Sequence, residues 1–221
     1  MAERTKLDDP RYQRVRRSLV AAILQLAGSR PAESISVSEL AGAAGVSRAA
    51  FYGHAVSPAA LLADTLVAEL RPGLDLLAEE MSHPGVDYVV VWRRVYRVLL
   101  DHVARHRAVY EVITARESAV SAALTRYFED AARAYVLDVV ARLQGPPVSD
   151  LWLAMATSQQ AHNMLAVIRS WIVTGLVDPP EAVIDTYLTL APPWQLARAE
   201  DDGTISLHGA RSPRRGHRSG R

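Results

Sequence analysis

The stretch Ile35-Ser-Val-Ser-Glu-Leu-Ala-Gly-Ala-Ala-Gly-Val-Ser-Arg-Ala-Ala-Phe-Tyr-Gly-His54 decides how this chain is read, because its local signals specify two short helices around a tight turn. Ser36 and Glu39 have the spacing of a capping box, in which the hydroxyl reaches the third amide and the carboxylate reaches back. Ile35 and Leu40 stand where a hydrophobic staple belongs. Gly45 suits the left-handed conformation that ends the first helix, and Ser47 then caps the second, with Val46 and Phe51 as a second staple. Helices joined by a turn of about three residues containing Gly cross steeply. The second one projects, and its small residues let it sit deep in a major groove, which is a helix-turn-helix at residues 36–54.

On the projecting helix Val46, Ala50 and Phe51 fall inward, whereas Arg48, Ala49, Tyr52 and Gly53 fall outward or flanking. Arg48 can reach a guanine edge or a phosphate. Ser47, Tyr52 and His54 can donate to phosphates, and Ala49 can touch a thymine methyl or admit close approach. Taken singly, Tyr52 and His54 are read equally well as packing between helices.

Outward from this motif the period is 3.6 throughout, with no sustained alternation of apolar and polar residues, so the chain reads as all-α. A first helix starts at Asp9-Pro10, carries Val15, Leu19, Ala22, Ile23 and Leu26 on one face and Arg14, Arg16 and Arg17 on another, and stops at Gly28-Ser29. After the motif, helices are expected over about 57–71 and 74–81, with Pro72-Gly73 as a break, and over about 86–105 after the turn at 82–85. Others follow over about 118–143, from 149 or 150 to Thr174 with Gly175 as its cap, and from Pro179 to about Ala191. Three units result: a helix-turn-helix domain over 1–56, a helical domain over 57–197, and a Gly/Ser/Arg-rich tail over 198–221 that is expected to be disordered.

Composition narrows the function classes. With 221 residues and 49% hydrophobic content a buried interior is easily filled, yet no apolar run approaches the roughly 18–20 residues of a membrane span. The N-terminus has no apolar signal region, and the absence of Cys removes disulfides, thiolate metal sites and cysteine nucleophiles. A cytoplasmic protein with no membrane partner is expected. The net charge of +1 is the sum of +3 over residues 1–60, −4 over 61–199 and +2 over 200–221, so the ends are basic and the middle acidic. That distribution suits a nucleic-acid partner at the N-terminal end without requiring one.

Residues 36–61, Ser-Val-Ser-Glu-Leu-Ala-Gly-Ala-Ala-Gly-Val-Ser-Arg-Ala-Ala-Phe-Tyr-Gly-His-Ala-Val-Ser-Pro-Ala-Ala-Leu, resemble the DNA-binding domain of the TetR family, and the family pattern extends over roughly 11–70. The resemblance implies a three-helix reader, a connecting fourth helix, and a helical ligand-binding and dimerisation domain whose last two long helices pair with a twofold-related copy. It implies a transcriptional regulator, a homodimer on a palindromic double-stranded DNA operator, in which a small-molecule effector usually releases DNA and represses no longer. Carried over by position, Ser36, Ser38, Ser47, Arg48, Ala49, Tyr52 and His54 match residues that face DNA. Two positions depart from the pattern: Ala55 stands where Phe is common, and Pro58 where a Lys commonly contacts phosphate. Arg14, Arg16, Arg17 or Arg30 would have to replace that charge.

The helical domain is apolar enough to hold a pocket for a largely apolar effector. Candidate lining residues are Trp92, Tyr96, His102, Tyr110, Tyr127, Trp152, Met155, Gln159, His162 and Asn163, with Gln159, His162 and Asn163 favoured for their polarity. Stripes at Ala161, Leu165, Ile168, Ile172 and at Val183, Ile184, Tyr187, Leu188 suit a dimer interface. His102 and His106 have the spacing to share a metal, but without a visible third ligand exposed surface histidines are the better reading, and no cofactor or metal is expected. No nucleophile elbow, phosphate loop, dinucleotide fingerprint or zinc-protease motif occurs, so an enzyme is not expected. An enzyme with a spatially assembled site and an architectural DNA binder remain as alternatives.

Overall fold

The structure is a computed structural model that describes residues 9–83, 85–143 and 147–196. The tail expected to be disordered lies, with Ala197, outside the described residues. Among those described there are nine α-helices and no strand: α1 Pro10–Ala27, α2 Val37–Ala43, α3 Arg48–Tyr52, α4 Pro58–Met81, α5 Tyr88–Arg105, α6 Arg107–Thr114, α7 Ala119–Arg142, α8 Asp150–Val173 and α9 Pro180–Leu190. None is long and apolar enough to cross a membrane.

The reading head forms as its local signals require. Asp9 caps α1 by accepting from the Arg11 amide at 2.8 Å, and Leu19, Ala22, Ile23 and Ala27 are buried against α2 and the body. Ser36 accepts from the Glu39 amide at 3.1 Å, and Ser47 from the Ala50 amide at 3.0 Å. The turn between them is a Schellman motif: Gly45 stands at φ +66°, its amide donates to Gly42, and the Val46 amide donates back to Ala41 at 2.9 Å. The reciprocal half of the expected capping box is replaced, because the Glu39 carboxylate pairs with the Arg30 guanidinium. Ile35, Leu40 and Phe51 are fully buried, so both staples point into one core.

Two boundaries differ from expectation. Pro72-Gly73 does not break the chain, and α4 runs unbroken over 24 residues. Proline removes one donor from the ladder, but both Pro72 and Ala68, whose carbonyl loses that donor, are exposed, so water can serve it. The buried stripe Leu62, Leu66, Leu70, Leu74, Leu77 crosses the proline without a change of phase, and packing against α5 and α7 holds the two halves in one helix. Gly73 is needed there for close approach: a Cβ would stand 3.0 Å from a Val98 methyl of α5. The second difference is α6, which was not expected. His106 lies between α5 and α6 at φ −110°, ψ 31°, and the chain resumes a helix at once to bury Val109, Tyr110 and Ile113.

The body is a helical bundle in which α7 packs along α8, and α4 along both α5 and α7. The reading head is fixed to it in three places: α1 packs on α4 and α6, and Glu33 accepts from the Ala119 amide at the start of α7 at 2.6 Å. At the far end Arg142 donates to the Met81 carbonyl at 3.1 Å and closes α4.

Candidate functional site

The outer surface of the reading head carries α3. Arg48, Ala49, Tyr52 and Gly53 are exposed and share one face, and Tyr52 leaves 56% of its surface in solvent. Ser36, Ser38 and Ser47 are exposed beside it. The Ser36 and Ser47 hydroxyls are occupied as acceptors by caps, so each can still donate its proton outward. His54 is placed differently. It is half-buried, its ring stacks on Tyr12 of α1 at 4.0 Å, and its carbonyl accepts from Arg16 at 3.3 Å. Tyr12 and Arg16 are thus positioning residues that the sequence reading did not single out for this role.

Of the four arginines considered as replacements for the missing lysine, two are engaged. Arg16 holds the His54 carbonyl, and Arg30 is paired with Glu39. Arg14 and Arg17 are exposed on α1 and form no ion pair among the described residues. Pro58 occupies the first turn of α4, capped by Ser57 at 3.1 Å, and is buried, while Ala55 packs against the core. Exposed serines, Arg48 and Tyr52 on one projecting helix face, with unpaired cations alongside, can hydrogen-bond base edges and neutralise phosphates.

Residues 19–65 match the model of the bacterial regulatory proteins of the tetR family. Over this segment the chain is similar to the DNA-binding domain of the TetR family. It is a DNA-binding transcriptional regulator, and the matched residues take in the second half of α1, all of α2 and α3 and the first turns of α4. Three solved structures share the fold. The fatty acid degradation regulator FadR from Bacillus halodurans has a TM-score of 0.58 at 15% identity, over 82% of this chain and 94% of that one. NalD, the secondary repressor of the MexAB-OprM multidrug efflux pump in Pseudomonas aeruginosa, has 0.55 at 17%, over 82% and 95%. The dihydroxyacetone kinase operon activator DhaS has 0.52 at 19%, over 80% and 93%. No curated protein matches the sequence.

The ten candidate pocket residues divide in this helical body. Trp92, Tyr96, His102 and Tyr110 are buried, and Tyr127, Trp152 and Asn163 are partly so. Met155, Gln159 and His162 are exposed on the outer face of α8, so they do not reach the interior of the protomer. The polar side chain that does is their neighbour Gln160, at 1% exposure. It had a readable signal: Ala156, Gln160, Met164 and Ile168 recur every fourth residue as one buried stripe.

Gln160 lines a small cavity of about 60 Å³ with Trp92, Tyr135, Met164, Leu74 and Met81. Neither amide atom of Gln160 has a hydrogen-bond partner among the described residues. The Trp92 indole N–H and the Tyr135 hydroxyl lie close together without a well-formed bond. Burial pushes the phenols of Tyr96 and Tyr135 well above the ordinary range, so both remain protonated donors. Across Tyr135, Leu74, Ala78 and Ala131 the cavity adjoins a wider cleft of about 520 Å³ between α4 and α7. Asp75, Glu79, Asp130 and Asp138 stand around that cleft; Arg71 is the one cation lining it among the described residues, and Asp138 is paired with Arg142.

The proposed dimer stripes also divide. Ala161, Ile168, Ile184 and Tyr187 are core of the protomer itself, whereas Leu165, Ile172, Val183 and Leu188 are half-buried. The apolar side chains that α8 leaves in solvent are Leu151, Met155 and Val173, joined by Val177 and by Leu190 of α9. His102 and His106, read as exposed, are instead buried and half-buried, and burial holds the His102 imidazole down to about 4.

Proposed function

We propose that this regulator works as a homodimer on a palindromic operator and is released from it by a small, largely apolar effector. The observation that carries the effector is the set of buried polar atoms without partners around the cavity. The two amide atoms of Gln160 each carry a desolvation cost of about 1–3 kcal/mol, part of which a ligand with one polar group would offset. A cavity of about 60 Å³ is far below the roughly 300 Å³ that an effector needs, so binding must part the walls, and α4 is one of them. The adjoining cleft is the route of entry. Its carboxylates disfavour an anionic ligand and favour a neutral or cationic one.

The second copy is placed on the outer faces of α8 and α9. An open groove of about 340 Å³ between them, lined in part by Val167, Val183 and Leu190, continues the exposed apolar positions of α8. Two reading heads related by a twofold axis would then address half-sites about one helical turn apart. The assignment as a regulator gives no role to a catalytic group, and the protein is proposed not to be an enzyme.

A thermal-shift screen of the full chain against uncharged and cationic lipophilic compounds, followed by DNA-release assays on the hits, tests the effector. The proposal expects stabilising hits that dissociate the operator complex, with Gln160→Leu removing the response. Stabilising hits that leave DNA bound would contradict it.

A further inference from the structure

Away from the reading head and the cavity, Glu69 of α4 and His102 and His106 of α5 bring one carboxylate oxygen and two imidazole nitrogens within 4.8 Å of one another. Nε2 of His106 stands 2.7 Å from Glu69 Oε2, and Nδ1 of His102 stands 3.6 Å from the same oxygen. The two rings, one turn apart on α5, have centroids 4.8 Å apart. The His102 side chain is 3% exposed, and among the described residues neither of its ring nitrogens makes a hydrogen bond. A buried neutral imidazole carries one donor and one acceptor, and leaving both unmet is costly. Tyr110 of α6 packs its ring against His102 at 5.7 Å, and its own hydroxyl is buried without a partner.

The plainer reading is a His106–Glu69 hydrogen bond with His102 as filling. It accounts for two of the three residues and leaves unexplained why an imidazole, rather than an apolar side chain, occupies the most buried position.

We propose that Glu69, His102 and His106 bind one first-row divalent transition ion of the zinc class, clamping α4 to α5. Zinc takes imidazole nitrogen and carboxylate oxygen at about 2.0–2.2 Å, which sets ligand atoms of a tetrahedral shell roughly 3.4 Å apart. Separations of 2.7 and 3.6 Å bracket that value, and no pair of the three donors exceeds 4.8 Å, so small side-chain rotations complete the shell. Water takes the remaining position. Two imidazoles and a carboxylate select zinc, cobalt or nickel over magnesium and calcium, which require oxygen ligands. The nearest opposing charge, Arg105 at 3.8 Å from Glu69, is 64% exposed and screened by solvent. The clamp has consequence for the fold: α4 emerges from the reading head, and α6, which follows His106 directly, packs on α1. Metal binding itself does not depend on the effector or operator reading.

The test uses the full chain stripped with EDTA, titrated with Zn²⁺ by calorimetry and with Co²⁺ by visible absorption. One ion per chain with sub-micromolar affinity is expected, with cobalt d–d bands of a low-coordinate site. Glu69→Gln and His106→Gln, both at partly exposed side chains, should each weaken zinc binding at least ~10-fold with unchanged far-UV circular dichroism. His83→Gln and His162→Gln, outside the cluster, should leave it unchanged. His106→Cys keeps a ligand and should restore cobalt binding with an added thiolate charge-transfer band. Absence of tight binding in the wild type, binding undiminished in the Glu69 and His106 variants, or no thiolate band in His106→Cys would each overturn the site.

Discussion

Arg48 and Tyr52 present their polar ends to solvent from a helix of only five residues, which is held in place by Phe51 beneath and by the Ser47 cap in front. An arginine bidentate to guanine contributes about 1–3 kcal/mol of discrimination, so Arg48→Ala should weaken operator binding roughly tenfold or more in fluorescence anisotropy at fixed salt. An equal affinity would remove Arg48 from the interface. Gln160 behaves oppositely with respect to stability. Because its amide is buried without partners, Gln160→Leu should raise the unfolding free energy by roughly 1 kcal/mol in urea, whereas destabilisation would mean that the amide is satisfied in solution. These two residues also differ in how legible they were. Arg48 follows a cap, a left-handed glycine and a staple in unbroken order, so its position was fixed by neighbours a few residues away. Gln160 could not be told from Gln159 without the phase of α8, and α8 buries one face against α7 while leaving apolar residues on another, which blurs the periodicity.

Among the helices, α4 shows where a local rule loses to tertiary packing. Pro72 costs the helix one hydrogen bond, and its exposed position means that little packing is lost on truncation. Pro72→Ala should therefore stabilise the protein by about 1–3 kcal/mol, read from the urea midpoint. A loss of stability would show instead that the proline bends α4 into its place against α5. The helices with strong caps at Asp9, Ser36, Ser47 and Ser149 were legible from sequence, and their observed caps are those residues. The eight-residue α6 was not, since no cap residue marks its start and the turn between it and α5 is a single histidine. Nor was the Arg30–Glu39 pair, which joins two elements across nine residues and displaces a purely local interaction.

At the scale of the molecule, the DNA-reading surface and the sensing cavity are connected through α4, whose first turn follows the reading head and whose later turns line the cavity. In the proposed homodimer, a ligand that parts α4 from α7 would shift the reading head relative to its twofold mate, so that a cavity remote from DNA governs affinity. The proposed homodimer would use the faces of α8 and α9 left in solvent. Met155→Glu with Val173→Asp should yield monomers in size-exclusion chromatography with light scattering, and weaken operator binding because two half-sites no longer act together. A dimer that survives both charges would place the interface elsewhere. Of the stripes that the sequence reading offered for the interface, Ala161, Ile168, Ile184 and Tyr187 are needed for the protomer's own core. The central claim, that the exposed face of α3 reads a DNA sequence, is tested most directly by selecting from a random duplex library with the wild-type chain and with the Arg48→Ala, Tyr52→Phe double variant. The wild type is predicted to enrich one twofold-symmetric sequence that the double variant, of unchanged oligomeric state, fails to bind; enrichment of no sequence by the wild type, or of the same sequence at the same affinity by the variant, would contradict it.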